Sequence, residues 1–247
     1  MNKIAIIIPS RLDAQRFPNK PLKLINKKEM ILHVHDAAIK SKAGEVFVAS
    51  PDQEIIDVIE NSGGQAIKTS DHHQTGTDRI FEVFKKTLKS EPEIIVNLQG
   101  DMPNIEPQII SNLVSYMILN KCDIGTFASN FKSESELSNP NIVKVAVKEK
   151  LSEKLFLNAL DFFRLPTSAP YNFYHHIGIY AFTNKALVRY VSLKRSRLEL
   201  ERKLEQLRAL ENKMSIHVGY TNAFPLSVDT KEDLIKVESL MKENEKN

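Results

Sequence analysis

Ile4-Ala5-Ile6-Ile7-Ile8, followed by Pro9–Leu22 (PSRLDAQRFPNKPL), decides how this 247-residue chain folds. The apolar run is short, mostly β-branched and ended by a proline, the make-up of a strand buried on both faces. The loop after it carries Arg11, Arg16 and Lys20 among Pro9, Pro18 and Pro21, with Asp13 as the one opposing charge. Three cations thus reach the carboxyl end of a first strand, the edge at which open α/β sheets bind ligands. Held close together they repel one another unless an anion, most simply a polyphosphate, lies between them. The P-loop pattern G-x-x-x-x-G-K-[ST] is absent, so guanidinium and ammonium groups would hold the phosphates more than backbone amides. A solvated basic loop is the competing reading of these residues taken alone.

Working outward, Met30–Ser41 puts Met30, Val34, Ala37 and Ala38 on one helical face, and Glu45–Ser50 reads as a second strand. Strand, loop, helix, strand is the start of a βαβ fold. Asp52–Asn61 repeats the helical spacing through Ile55, Ile56 and Ile59, Gly63-Gly64 ends it, and Gln65–Lys68 is a short strand. The polar loop Thr69–Arg79 (TSDHHQTGTDR) then leads into a helix with Ile80, Val83, Phe84 and Leu88 on one side, and on local grounds Thr75 or Thr77 is simply its N-cap. Glu93–Leu98 is another buried strand and runs straight into Gln99-Gly100-Asp101-Met102-Pro103. That places the Asp101 carboxylate at the edge bearing the basic loop, where it can hold Mg²⁺ together with phosphate oxygens. A turn aspartate beside a glycine is the plainer alternative.

After a helix over Pro107–Leu119 the pattern changes. Asp123–Ser129, Ile142–Val147 and Lys154–Leu160 read as strands with no helical pattern between them, which predicts a mixed or antiparallel extension of the sheet. Tyr174–Phe182 is a further strand; its adjacent His175 and His176 point to opposite faces and would not share one metal. Asn184–Val191 reads as a short helix and Arg195–Asn212 as a single longer one, with Leu200, Leu204 and Leu207 at i, i+4 and i+7. Ser215–Gly219 is a strand, and the last helix begins at Asp229, with Leu234, Val237 and Leu240 or Met241 inward. Asp229 is either a second carboxylate of the site or an N-cap paired with Glu232.

Composition narrows the class. Hydrophobic residues make up 42% and charged residues 26%, as in an ordinary globular protein with one sizeable core. Lys+Arg 34 against Asp+Glu 31 leaves a net charge of +3 with no long basic block, which argues against nucleic acid as a partner. The single cysteine, Cys122, cannot form an internal disulfide and fits a reducing cytoplasm as a small buried hydrophobe. No apolar run is long enough for a signal-peptide core or a bilayer span, so no membrane insertion is expected.

Seven stretches, in order, closely resemble the CMP-Kdo synthetases, the 3-deoxy-manno-octulosonate cytidylyltransferases of lipopolysaccharide assembly. They are IPSRLDAQRFPNKPL from Ile8, SDHHQTGTDRIFEV from Ser70, VNLQGDMP from Val96, NPNIVKV from Asn139, YHHIGIYAF from Tyr174, LEQLRAL from Leu204 and VDTKED from Val228. The resemblance implies a Rossmann-like α/β nucleotidyltransferase with a mixed central sheet and helices on both faces. It implies one domain, made of a CTP-binding half over about 1–120, a smaller sugar-binding and dimerisation lobe over about 121–220, and a metal-ligand loop with the C-terminal helix over 221–247. Arg11, Lys20 and Arg16 would neutralise the triphosphate, with Thr75, Gly76, Thr77 and Gln99 near the nucleotide. Asp101 and Asp229 would hold Mg²⁺. Arg164, His176, Tyr180, Glu205 and Gln206 would bind the sugar acid. The activity implied is CMP transfer from CTP to Kdo in the cytoplasm by a homodimer, with a sialic acid or amino-substituted Kdo as other sugars, and a non-catalytic binding protein of this fold as another class. The sequence departs from the family pattern at Asn19, Met102, His175 and Lys231, where glycine, glutamate, arginine and proline are usual.

Overall fold

The computed structural model describes residues 3–13, 17–88, 91–120, 122–153, 155–165 and 171–244. In chain order the elements are β1 (Ile4–Pro9), β2 (Leu24–Ile25), β3 (Lys28–Glu29), α1 (Met30–Ser41), β4 (Glu45–Ser50), α2 (Gln53–Asn61), β5 (Ala66–Lys68), α3 (Gly76–Lys86), β6 (Ile94–Leu98) and α4 (Pro107–Leu119). Then follow β7 (Ile124–Ser129), α5 (Glu134–Ser138), β8 (Lys144–Val147), β9 (Leu157–Phe163), β10 (Asn172–Thr183), α6 (Asn184–Ser192), α7 (Arg197–Arg202), α8 (Leu207–Glu211), β11 (Ile216–Tyr220) and α9 (Lys231–Asn244). Two compact units result: Met1–Ser111 with Pro225–Asn247, and Asn112–Phe224, the division falling inside α4.

The first unit is built on the parallel order β5-β4-β1-β6. Ile6, Ile7 and Ile8 are fully buried, as a strand covered on both faces requires. Because β1, β4 and β6 run parallel, Pro9, Ser50 and Leu98 all end at the same edge. The loop after β1 is tied there by Ser10 N–H to the Ala49 carbonyl (2.9 Å) and Leu12 N–H to Asp52 Oδ2 (2.7 Å). Asn19 adopts a left-handed conformation, φ 55°, immediately before the short 3-10 turn Lys20–Leu22. Asparagine tolerates this better than other side chains, so the loss of glycine costs little. In α9, Val237 is buried with Ile25, Met30 and Val228, and Leu234 and Met241 pack on them.

The second unit carries a mixed sheet ordered β10-β7-β11-β9-β8, in which β8 also pairs with the first residues of β10. β7 and β11 are parallel and the other pairings antiparallel, matching the expected mixed extension. β9 begins three residues later than the apolar pattern indicated. Leu155 is taken by a bridge to Ser152, and Leu157 rather than Leu155 pairs with β11. The polar stretch before β8 holds the short helix α5, which no hydrophobic period announces.

The expected single helix over Arg195–Asn212 is instead α7 and α8, broken where Lys203 takes φ 55°. The break places Leu204 and Leu207 inside and leaves Leu200 53% exposed. A buried Glu199–Arg208 ion pair spans it (2.6 Å), so polar bonding overrides the leucine spacing.

Candidate active site

A cavity of about 520 Å³ opens at the carboxyl edge of the first unit's sheet. Arg11, Lys20, Thr75, Gly76, Gln99, Asp101 and Asp229 line it, joined by Pro9, Ser10, Asp13, Phe17, Pro21, His73, Gln74, Arg79 and Gly100. Arg16 lies outside the described residues. Each wall follows from local chemistry. A Cβ on Gly76 would stand 3.3 Å from Pro9 Cγ, and one on Gly100 3.1 Å from both the Pro9 carbonyl oxygen and Ile31, so the two glycines let three segments meet at the end of β1. Thr75 caps α3 in a reciprocal box with Asp78, so the first turn of an 11-residue helix opens on the cavity, and a helix N-terminus favours an anion.

Two expected nucleotide residues have different environments. Gln99 lines the cavity and donates through Nε2 to Asn97 Oδ1 (3.0 Å), and Asn97 Nδ2 donates to Thr77 Oγ1 (3.2 Å). Thr77 is therefore turned inward, 1% exposed and away from the cavity lining, and supports Gln99 through Asn97.

Lys20 Nζ lies between the two aspartates, 2.9 Å from Asp101 Oδ2 and 3.2 Å from Asp229 Oδ1. Burial works against its charge, but the two carboxylates outweigh it and the pKa is raised. Asp229 is not the cap of the last helix. Thr230 and Asp233 form that capping box, Thr230 Oγ1 accepting from Asp233 N–H (3.2 Å) and Asp233 Oδ2 from Thr230 N–H (2.9 Å), so the Asp229 side chain is directed to Lys20. The Val228 N–H donates to the Asp101 carbonyl (2.9 Å), fixing the two acidic segments to each other through backbone. Met102, where a glutamate is usual, is buried to 1% exposure and does not line the cavity.

Arg79 and His73 belong to this site and went unnamed among the sequence expectations. Arg79 is 3% exposed and donates to Thr69 Oγ1 and to the Ser70 carbonyl (2.9 Å). Burial, and the neighbouring Arg11 cation, lower its pKa from the usual guanidinium value. A cation in the first turn of a helix opposes the helix dipole, and that was the available signal. His73 bonds Glu82 through Nε2. Burial would raise the Glu82 carboxyl, but Lys86, His73 and the Ser70 N–H outweigh it and hold it at about 2.

The expected sugar residues all lie in the second unit. His176 and Tyr180 pack ring to ring at 5.3 Å, and the Thr126 hydroxyl lies 3.0 Å from His176 Nε2 while donating to the Ile179 carbonyl across the bulge in β10. Burial, then the neighbouring His175, lowers the His176 pKa to about 3, so its imidazole is neutral. Burial and the Glu205 carboxylate raise the Tyr180 phenol well above its usual value. The Tyr190 hydroxyl donates to the Glu205 carbonyl (2.7 Å), and Gln206 is buried beside it in sequence. Arg164 instead donates through Nη1 to the carbonyls of Pro140 (3.1 Å) and Asn141 (3.4 Å), on the loop before β8. A guanidinium has five donors, which leaves capacity for a carboxylate. His175 faces Glu136 (3.8 Å) and Phe224, a different set of neighbours from His176.

A family model described as cytidylyltransferase matches residues 5–216. The chain is 40% identical over 243 residues to the 3-deoxy-manno-octulosonate cytidylyltransferase of Paramagnetospirillum magneticum, covering 96% of this chain and 97% of that protein. The chain belongs to the 3-deoxy-manno-octulosonate cytidylyltransferase family. A second member, from Brucella anthropi, is 42% identical over 243 residues, covering 97% of this chain and 96% of that one. The solved structure of CMP:2-keto-3-deoxy-manno-octonic acid synthetase complexed with CTP superposes with a TM-score of 0.88 at 35% identity, covering 98% of this chain and 99% of that one. The α/β nucleotidyltransferase fold expected from the sequence is therefore that of the family.

Proposed function

We propose that this chain transfers CMP from CTP to the anomeric hydroxyl of 3-deoxy-D-manno-octulosonate, releasing pyrophosphate and forming CMP-Kdo for lipopolysaccharide synthesis. One observation carries this reading: a single cavity holds Arg11, Lys20 and Arg79 together with Asp101 and Asp229, in a chain 40% identical to a named enzyme of that activity. The sugar 2-hydroxyl attacks the α-phosphorus in line: its O–H bond breaks with the proton passing to solvent, one P–O bond forms, the bond to the bridging oxygen that leaves with the β-phosphate breaks, and no covalent enzyme intermediate is needed. Arg11, Arg79 and the N-terminus of α3 bind and orient the triphosphate, and Lys20 neutralises charge that spreads toward the leaving pyrophosphate.

Asp101 and Asp229 supply hard oxygen donors, and Mg²⁺ typically binds one or two carboxylates plus substrate phosphates, so this pair fits the ion. Bound there, Mg²⁺ would act as a Lewis acid on phosphate oxygens. Arg164 would pair with the sugar carboxylate, with the neutral His176, Tyr180, Glu205 and Gln206 completing the sugar site. A cytoplasmic homodimer is the further expectation that the resemblance of the sequence carries; no helix among the described residues is long and apolar enough to cross a membrane.

The test is pyrophosphate release from purified protein with Mg²⁺, CTP and Kdo, with UTP and sialic acid in parallel. Release only with CTP and Kdo, lost in Asp101→Ala and Asp229→Ala, is the expected result. Release with sialic acid in place of Kdo would overturn the sugar assignment.

A further inference from the structure

The point on which Asp101 and Asp229 converge already holds a cation. Lys20 Nζ donates to Asp101 Oδ2 at 2.9 Å and to Asp229 Oδ1 at 3.2 Å, with its own side chain only 13% exposed. A divalent ion bound by both carboxylates would stand within a few ångströms of the ammonium, where like charges repel. The same cavity offers another place for that ammonium. Arg11, Arg79 and the amino end of α3 line it and mark where polyphosphate would lie, and Lys20 lines the same cavity. The two acidic segments do not need Lys20 to hold them together, because the Val228 N–H is bonded to the Asp101 carbonyl at 2.9 Å.

We infer that Lys20 is a resident counter-ion: in the nucleotide-free protein it occupies the divalent-cation position between Asp101 and Asp229, and it yields that position only when phosphate oxygens take over its ammonium. This rests on the assignment of the two aspartates as metal ligands. Divalent cation and nucleotide then bind with positive coupling, and by linkage each strengthens the other's binding by the same factor. The metal is kept off a site without substrate, and the lysine that leaves the carboxylates becomes a phosphate ligand.

Mn²⁺ serves as the probe, titrated into the nucleotide-free full chain while free ion is followed by electron paramagnetic resonance. Wild type is expected to bind weakly, and Lys20→Met at least about tenfold more tightly, since a repelling charge is removed. Lys20→Gln removes the charge but keeps a polar end on a slightly shorter side chain, and is read in the same way should the methionine variant fail to fold. Adding Asp101→Asn to either variant should abolish the gain. Equal Mn²⁺ affinity in wild type and the Lys20 variants, including no binding by any of them, overturns the inference, as does a gain that survives Asp101→Asn. Pyrophosphate release by the same wild-type preparation separates the two readings: an active enzyme with no gain refutes the lysine's role alone, and an inactive one tells against the proposed reaction.

Discussion

Glu199 is fully buried, and its carboxylate accepts from Arg208 Nε (2.9 Å) and Nη2 (2.6 Å) and from Arg195 Nε (2.9 Å). Burial alone would raise its pKa, but Arg208, Arg195 and the Ser196 N–H outweigh it and the pKa is lowered. Removing the charge in Glu199→Gln takes the paired carboxylate away from the buried Arg208 guanidinium, and the expected loss is about 3–5 kcal/mol by urea unfolding. Glu199→Met with Arg208→Met should recover much of it; a double variant as unstable as the single one would refute the account. At the cavity, Arg79→Lys keeps the charge but loses the planar fork, and an Arg79 that meets phosphate should show it as a KM for CTP raised about tenfold. An unchanged KM would make Arg79 purely a tie for the Thr69–Ser70 turn. At this scale the site was partly legible. Arg11, Asp101 and Asp229 stand next to the ends of recognisable strands or of a helix, and Lys20 stands in the basic loop after the first strand. Arg79 and His73 were not legible as site residues, because their role depends on which way the first turn of α3 and its preceding loop face.

Elements were legible where apolar periodicity alone builds them. β1, β4, β6 and α1 follow their apolar runs closely. The reading failed where another force set the boundary: the α7–α8 break follows the buried Glu199–Arg208 pair, and the start of β9 follows the turn made by Ser152 and Leu155. One strand position depends on having no side chain. A Cβ on Gly219 in β11 would lie 2.3 to 2.6 Å from Phe156 ring carbons, and that ring is stacked on Tyr116 at 3.5 Å. Gly219→Ala is therefore expected to cost about 1–3 kcal/mol as overpacking. Adding Phe156→Leu should return part of that cost in a double-mutant cycle, since the two groups meet directly. Additive losses would show that the ring moves aside freely.

For the whole chain, acid stability is set by histidines that fold into places unfavourable to their charged form. Burial lowers the pKa of His35, with Asp36 raising and Lys28 lowering it; of His175, with Glu136 opposing; of His176, to about 3; and of His217, with Asp123 opposing. Unfolded, each titrates near 6.5, so below that pH the unfolded chain takes up protons that the native protein refuses. Each missing proton tilts the unfolding free energy by about 1.4 kcal/mol per pH unit. The loss begins near 6.5 and for His176 continues down to about 3. Carboxylates with lowered values, such as Glu82 at about 2 against 4.5, add their own loss only below the latter value. From 6.5 to 4.5 the histidines therefore dominate. His175, His176 and His217 lie in the Asn112–Phe224 unit and His35 in the other, so acid should weaken the former more. Hydrogen exchange of amides in β10 and β11 is expected to quicken, beyond its intrinsic pH dependence, more than that in β1 and β4 as pH falls from about 7 to about 5. His176→Gln should flatten the response of β10 by close to one proton's slope. Equal acceleration in both units, or an unchanged slope in that variant, would show that acid acts through other groups.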